Sequence, residues 1–141
     1  MCIRDRNVIA GIAPAARYLR GGWRIGLGSD VAGGHTLDLF TVMATAVQVS
    51  KLRWRYVDQR EKPLTMTEAL YMATVGGGDF WADFGEKVGL FEEGYALDAL
   101  VLDDDSLKNM RTFTPAERLE RYAYLGKGAL TAKFAQGKKL L

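Results

Sequence analysis

Helical and strand-like patterns that alternate along the first half of the chain predict an α/β organisation. Pro14 suits the first turn of a helix, where its missing N–H costs no hydrogen bond, and Gly21 and Gly22 would end that helix. The short apolar segment 23–27 follows directly, and its brevity beside glycines predicts a strand. A helix, a glycine and a strand in this order form the αβ half of an α/β repeat.

Two further helices are predicted from apolar spacing and from capping residues. The first would be capped by Thr36 and would run to about Arg55. Its predicted face comprises Leu37, Phe40, Ala44, Val47 and Lys51. Thr65 and Glu68 have the spacing of a capping box, which predicts the start of the second helix, and the three glycines 76–78 would stop it.

Beyond Gly85 the pattern favours strands, and a unit boundary is predicted near Phe84. Short apolar segments at 88–91 and 96–102 predict two strands joined by a turn at Glu93 and Gly94. This change in pattern divides the chain into two units, residues 7–84 and residues 85–141.

The last two elements are predicted from local signals. Thr114 would cap a helix, with Pro115 at its first position and Glu117 completing a capping box. Gln136 and Gly137 would form the turn of a terminal hairpin.

Composition narrows the functional classes. The chain has 141 residues, a hydrophobic fraction of 48% and a formal net charge of +2. Because acids and bases nearly cancel, neither a nucleic-acid partner nor an anionic membrane is expected. No apolar run approaches the roughly 18 residues of a membrane-spanning helix. The single cysteine, Cys2, cannot form an internal disulfide, so a reducing, cytoplasmic location is expected.

The first six residues, MCIRDR, match no capping or periodic pattern. They resemble the translated adapter sequence that precedes some reading frames in metagenomic assemblies. We therefore expect residues 1–6 to be a foreign leader, with the protein's own sequence starting near Asn7 inside a larger gene.

Asp30 is the candidate functional residue, because it follows the predicted strand by three positions. In parallel α/β folds the residues at the carboxyl ends of strands face the active site. A carboxylate there suits Zn²⁺ alongside histidines, and Gly33 and Gly34 would let the backbone approach a ligand. An Asx turn or a helix cap is the competing interpretation of this aspartate.

Other candidate sites are weaker. His35 is the only histidine and cannot by itself form the three-ligand site of a catalytic zinc, so a loop or cap role is expected. The glycines around Asp30 lack the G-x-G-x-x-G spacing and the G-K-[ST] sequence of phosphate loops. Trp54 and Tyr56 lie among basic residues, but acids follow at once, which favours a solvated helix end over a nucleic-acid patch.

Several longer stretches resemble the C-terminal part of bacterial guanine deaminases, members of the amidohydrolase superfamily. The most specific are GLGSDVAGGHT and ERLERYAYLG, supported by AVQVSKLRWR and ALYMATVGGGDFW. The stretch KVGLFEEGYALDALVLDD is shared by many amidohydrolases and supports the superfamily only. The resemblance covers nearly all of the chain from Asn7 to Leu141.

This resemblance implies an α/β fold, namely the C-terminal part of a (β/α)₈ barrel with a small β-domain. Residues 7–84 would supply the last strand and helices of the incomplete barrel, and residues 85–141 part of the β-domain. Asp30 matches the carboxylate after the eighth strand, which in the family binds zinc and takes the proton from the metal-bound water. The nearest substrate-binding candidates are Val31, Gly33 and Gly34. The implied reaction converts guanine and water to xanthine and ammonia, in a cytoplasmic homodimer.

The same resemblance implies that this chain is incomplete as an enzyme. The family's H-x-H motif, two further zinc-binding histidines and a proton-shuttling glutamate lie upstream of the matching region. The 141-residue chain is therefore expected to be inactive alone. Ser29, where threonine is usual, keeps the hydroxyl group. The alternatives are a related aminohydrolase of purines, pyrimidines or triazines, and a non-catalytic interaction domain.

Overall fold

The computed structural model describes residues 11–31, 33–107, 111–125 and 129–141. The predicted leader 1–6 and Asn7 lie outside the described residues. In the described part the elements follow the order α1 (Ala15–Arg20), α2 (Leu39–Tyr56), α3 (Met66–Ala73), α4 (Val75–Ala82), β1 (Ala99–Asp103), α5 (Pro115–Leu125), β2 (Ala129–Ala135) and β3 (Lys138–Lys139). Within these ranges no helix is long and apolar enough to cross a membrane.

The core lies where α2 packs on α3 and α5. Helix α2 is the longest element, and its middle turns are buried on more than one side. The most deeply buried apolar side chains, each at most 2% exposed, are Val42, Met43, Ala46, Val47, Leu64, Ala69, Met72 and Ala15. The helical layer therefore encloses its own apolar centre.

The N-cap of helix α2 lies two residues later than predicted. Asp38 is the N-cap, and its carboxylate accepts the N–H groups of Phe40 and Thr41 at 3.1 Å each. Thr36 instead accepts the N–H of Asp38 at 3.0 Å. The predicted helical position of Leu37 is also wrong, since Leu37 precedes the helix and is 71% exposed. The aspartate is the better cap because it satisfies two of the unpaired N–H groups.

Both predicted capping boxes are confirmed. The N–H of Glu68 donates to Thr65 Oγ1 at 3.1 Å, and the N–H of Thr65 donates to the Glu68 carboxylate at 2.8 Å. The same reciprocal pair joins Thr114 and Glu117 at the start of α5. Each box needs only residues three positions apart, so the sequence contains all of its determinants.

The predicted strand at 23–27 is wrong for the described chain. The segment has no regular secondary structure and belongs to no ladder among the described residues. The N–H of Leu27 donates to the carbonyl of Met72, at the end of α3, at 2.9 Å. A strand is defined by a neighbouring strand, and in the described chain helices α3 and α4 lie beside this segment instead.

The predicted stop at glycines 76–78 is also wrong, because these glycines lie inside α4. The break between α3 and α4 occurs at Thr74, with φ −116° and ψ −84°. A Cβ at Gly76 would lie 2.2 Å from the carbonyl oxygen of Ile25, and a Cβ at Gly78 would lie 2.2 Å from that of Val88. The glycines thus allow two backbone segments to touch the helix directly.

The three strands form one antiparallel sheet in the order β1-β2-β3. Strand β1 begins at Ala99, three residues later than predicted. The predicted strand at 88–91 is wrong, since Gly89 has φ +93° and interrupts the extended run. The hairpin is confirmed, because Gln136 and Gly137 connect β2 to β3 with φ of +48° and +76°. Two positive φ values match the twist of the flanking strands.

Candidate functional site

Asp30 lies three residues after the segment 23–27 and begins a tight turn. Its φ of +51° places it in the left-handed region, which aspartate tolerates better than most residues. Its carbonyl accepts the N–H of Gly33 at 2.9 Å and the N–H of Gly34 as well. The residue is half-buried. The chain therefore reverses at Asp30, and the carboxylate stands at the point of reversal.

The two glycines of this turn are required by its geometry. A Cβ at Gly34 would lie 1.8 Å from the carbonyl oxygen of Ser29, which no side chain could tolerate. A Cβ at Gly33 would lie 2.6 Å from Oδ2 of Asp30, so the carboxylate lies over this glycine. The predicted substrate-binding candidates thus include two residues that shape the turn. The third, Val31, is 71% exposed.

The segment 23–27 is anchored to α4 by an arginine and by glycines. Arg24 Nη1 donates to Asp83 at 3.0 Å, and the same guanidinium lies 5.2 Å from the centre of the Phe80 ring. A Cβ at Gly26 would lie 3.2 Å from the Cα of Gly77. These contacts fix the direction in which the segment enters the Asp30 turn.

An apolar groove of about 470 Å³ borders the segment on the α4 side. It is lined by Gly26, Leu27, Gly28, Gly77, Phe80, Trp81 and Phe84. The aromatic side chains on this groove are 47–79% exposed. The sequence analysis did not identify these residues as candidates for a binding site. The signal was a cluster of three aromatic residues within five positions, shortly after three consecutive glycines.

The described residues do not complete a metal site. In the described ranges no group of three or more histidine, cysteine, aspartate or glutamate side chains is close enough to hold a metal ion. His35 is exposed in the loop before α2 and caps no helix, since Asp38 does so. Asp30 offers a donor that suits one position of a zinc site. The remaining ligands of a complete site would have to come from elsewhere.

Residues 1–138 match the model of the amidohydrolase family. A probable guanine deaminase of Schizosaccharomyces pombe is 31% identical over 103 residues, covering 72% of this chain and 19% of the relative. A 5′-deoxyadenosine deaminase of Methanopyrus kandleri is 34% identical over 106 residues, covering 74% and 23%.

A solved structure shows the similarity over nearly the whole chain. It is that of guanine deaminase from C. acetobutylicum with guanine bound in the active site. The two chains superpose with a TM-score of 0.84 at 39% identity, over 98% of this chain and 32% of the other. This chain therefore spans between about a fifth and a third of the length of these proteins.

Proposed function

Since this chain belongs to the amidohydrolase family, we propose that it is part of a zinc-dependent guanine deaminase. The proposed reaction converts guanine and water to xanthine and ammonia. The observation that carries the proposal is the match to the guanine-bound structure, with a TM-score of 0.84 and 39% identity over 98% of this chain. The shorter matches to other relatives support the family but do not distinguish guanine from other purine substrates.

The proposed architecture is an incomplete (β/α)₈ barrel with part of a small β-domain. In this arrangement residues 7–84 hold the eighth strand and its helices, and residues 85–141 belong to the β-domain. Segment 23–27 supports the proposal through its sequence, which has the apolar pattern of a strand, although no strand in the described chain pairs with it. The separate antiparallel sheet β1-β2-β3 supports the second unit.

Asp30 is the proposed catalytic and metal-binding residue. Its carboxylate stands at the chain reversal that follows the apolar segment 23–27. In parallel α/β folds the residues that follow a strand face the active site. Zinc, when bound, would lower the pKa of a coordinated water to about 7. The Asp30 carboxylate would accept the proton of the attacking water and pass it to the departing amine. Val31, Gly33 and Gly34 form the loop nearest to the proposed substrate.

The remaining ligands and the proton-shuttling glutamate are proposed to lie in sequence upstream of this chain. The complete enzyme is proposed to be a cytoplasmic homodimer that acts on a small purine. Alone, the 141-residue chain is expected to show no deamination and only weak zinc binding, because its described residues offer no three-ligand cluster.

A related purine aminohydrolase is the second candidate function. The similarity to the 5′-deoxyadenosine deaminase of Methanopyrus kandleri, 34% identical over 106 residues, favours it. The two candidates differ in where water attacks the purine, so the enzyme joined to its upstream half should be assayed on guanine and on 5′-deoxyadenosine. Faster turnover of the adenine nucleoside would replace the first proposal with the second.

Asp30→Ala tests the site in the chain joined to its upstream half. We expect xanthine formation to fall by at least about 10²-fold, the usual contribution of a general base, with a loss of bound zinc. Asp38→Ala is the matched control, since it removes an aspartate of the same region whose carboxylate only caps α2. Activity of Asp30→Ala within about tenfold of the wild type would show that Asp30 serves only the turn.

A further inference from the structure

A small cavity lies between the start of α1, the last turns of α2 and the loop that leads to α3. It offers about 10 Å³ to the centre of a water-sized sphere. Its lining consists of Ala13, Pro14, Ala15, Ala16, Ser50, Arg53, Trp54, Glu61, Lys62 and Pro63. The cavity is thus bounded by apolar groups of α1 on one side and by an arginine and a glutamate on the other.

Three polar atoms at this cavity lack a hydrogen-bond partner among the described residues. They are Nε of Arg53 and both carboxylate oxygens of Glu61, and all three are buried. Nε of Arg53 lies 3.9 Å from Oε2 of Glu61, too far for a direct hydrogen bond. Nη2 of Arg17 lies 3.6 Å from the same oxygen, which leaves an ion pair without a hydrogen bond. A buried polar group without a hydrogen-bond partner destabilises the fold, so these atoms are expected to have one.

The charges around the cavity restrict what can occupy it. Glu61 would repel an anion, and Arg53 and Arg17 would repel a cation. An occupant must accept from the Arg53 N–H and donate to the Glu61 carboxylate, and water does both. The cavity admits the centre of a water-sized sphere over about 10 Å³, which is room for one water molecule, and a buried water also needs two to four polar partners.

We infer that one buried water molecule occupies this cavity and bridges Arg53 to Glu61. It accepts the Nε–H of Arg53 and donates one proton to a carboxylate oxygen of Glu61, so each side chain gains a partner that it lacks among the described residues. The other end of the Arg53 guanidinium donates to the carbonyl of Ile12 at 3.1 Å. The water therefore extends a polar connection that runs from the chain before α1, through α2, to the loop before α3. This role is independent of the proposed deamination.

A crystal structure of the 141-residue chain, or of the chain joined to its upstream half, tests the inference directly. We expect a density peak about 2.7–3.2 Å from Nε of Arg53 and from an oxygen of Glu61. A direct hydrogen bond between the two side chains would overturn the inference. An ion, or the absence of a peak where comparable buried waters are resolved, would overturn it as well.

A pair of variants separates a bridging water from a solvent molecule of the surface. Glu61→Leu removes both acceptors, and we expect it to abolish the peak. Arg60→Gln is the matched control, since Arg60 pairs with Asp58, has a side chain 90% exposed and does not line the cavity. We expect this control to keep the peak, and a peak that persists in Glu61→Leu would overturn the inference.

A solution measurement covers the case in which Glu61→Leu does not fold. In the wild type, the Hε proton of Arg53 should show a nuclear Overhauser effect to a long-lived water molecule. The Nε–H of the exposed Arg60 should show only rapid exchange with solvent. Equal behaviour of the two protons would contradict a buried water at Arg53.

Discussion

The helical region and the sheet region of this molecule bury their apolar residues to very different degrees. In the helical region, Val42 and Met72 are completely buried where α2 meets α3. In the sheet, the neighbouring residues Leu100 and Val101 of β1 are 47% and 48% exposed. Because successive residues of a strand point to opposite faces, both faces of the sheet are partly open to solvent. The helical region thus depends on a core of its own, and the sheet does not.

The sheet region depends more on backbone pairing and on an ion pair. Strands β1 and β2 pair along five residues each of the ladder, from Ala99 opposite Phe134 to Asp103 opposite Ala129. Just after β1, Asp104 is only 6% exposed and accepts Nε of Arg118 from α5 at 2.8 Å. This arginine holds the pKa of the Asp104 carboxyl below its usual value. Substitutions of apolar side chains should therefore affect the two regions unequally.

The largest expected effect is a cavity in the helical core. Met72→Ala should lower the free energy of unfolding by about 2–5 kcal/mol, because the space of a fully buried side chain cannot close completely. Val101→Ala, at a half-exposed position of β1, is the matched substitution in the sheet and should cost less than about 1 kcal/mol. Urea unfolding of both variants measures the difference. Equal losses would show that the sheet has a core comparable to that of the helices.

Two neighbouring glycines test whether direct backbone contact holds α4 in place. Gly76→Ala should destabilise the fold by about 1–3 kcal/mol or more, because its Cβ would lie 2.2 Å from the carbonyl oxygen of Ile25. Gly77→Ala is the control, since its nearest contact is 3.7 Å, and alanine should stabilise the helix by up to about 1 kcal/mol. Thermal unfolding distinguishes the two. Loss of stability in Gly77→Ala equal to that in Gly76→Ala would rule out the proposed contact.

Acid should weaken the helical region through Glu68. Arg20 donates to both Glu68 oxygens, at 2.8 and 2.9 Å, and this pairing lowers the pKa of Glu68 below its ordinary value of 4.5. A carboxyl with a lowered pKa in the folded state contributes stability above pH 4.5 that is lost as the pH falls through the folded pKa. The free energy of unfolding, measured from pH 7 downward, should therefore decrease less with falling pH in Glu68→Gln than in the wild type.

Glu86→Gln controls for the general effect of removing a carboxylate. Glu86 is exposed and has no ion pair within the described ranges. We expect the free energy of unfolding of Glu86→Gln to decrease with falling pH as much as that of the wild type. If Glu68→Gln and Glu86→Gln behave alike, the Arg20–Glu68 pair is not the source of the pH dependence.

The smallest expected effect is in the hairpin of the sheet region. Gln136 has φ +48°, a conformation that asparagine adopts more readily than glutamine. Gln136→Asn should therefore stabilise the sheet by a few tenths of a kcal/mol, estimated as roughly a third of the cost of a left-handed residue. Gln136→Val should destabilise it, since β-branched residues disfavour positive φ. Hydrogen exchange of the β2 amides measures the change in sheet stability. Slower exchange in Gln136→Val than in Gln136→Asn would contradict the prediction.

Local signals in the sequence were sufficient for several elements. The capping boxes Thr65–Glu68 and Thr114–Glu117 and the turn at Gln136 and Gly137 were all predicted correctly. Each depends on residues within four positions of one another, so the determinants are contiguous in the chain. The α2 cap was misassigned by two residues, because Thr36 and Asp38 are both acceptable cap residues and only the fold selects between them.

Long-range contacts decided the rest. Glycines 76–78 carry the sequence signal of a helix stop, but they lie inside α4, where Gly76 and Gly78 let the carbonyls of Ile25 and Val88 approach the helix. The apolar segment 23–27 has the pattern of a strand, yet a ladder also requires a partner, which the pattern cannot supply. The role of Asp30 stays a prediction, supported by its position in the turn.

The sequence by itself determined the family resemblance, the helix caps, the hairpin and the position of Asp30 after an apolar segment. These features depend on residue identity and on short spacing. Only the tertiary structure decided that Gly76 and Gly78 serve contact rather than termination, and that Arg53 and Glu61 line a buried cavity beside the start of α1. The physical reason is that such contacts join residues distant in the chain, whose proximity depends on how the helices pack.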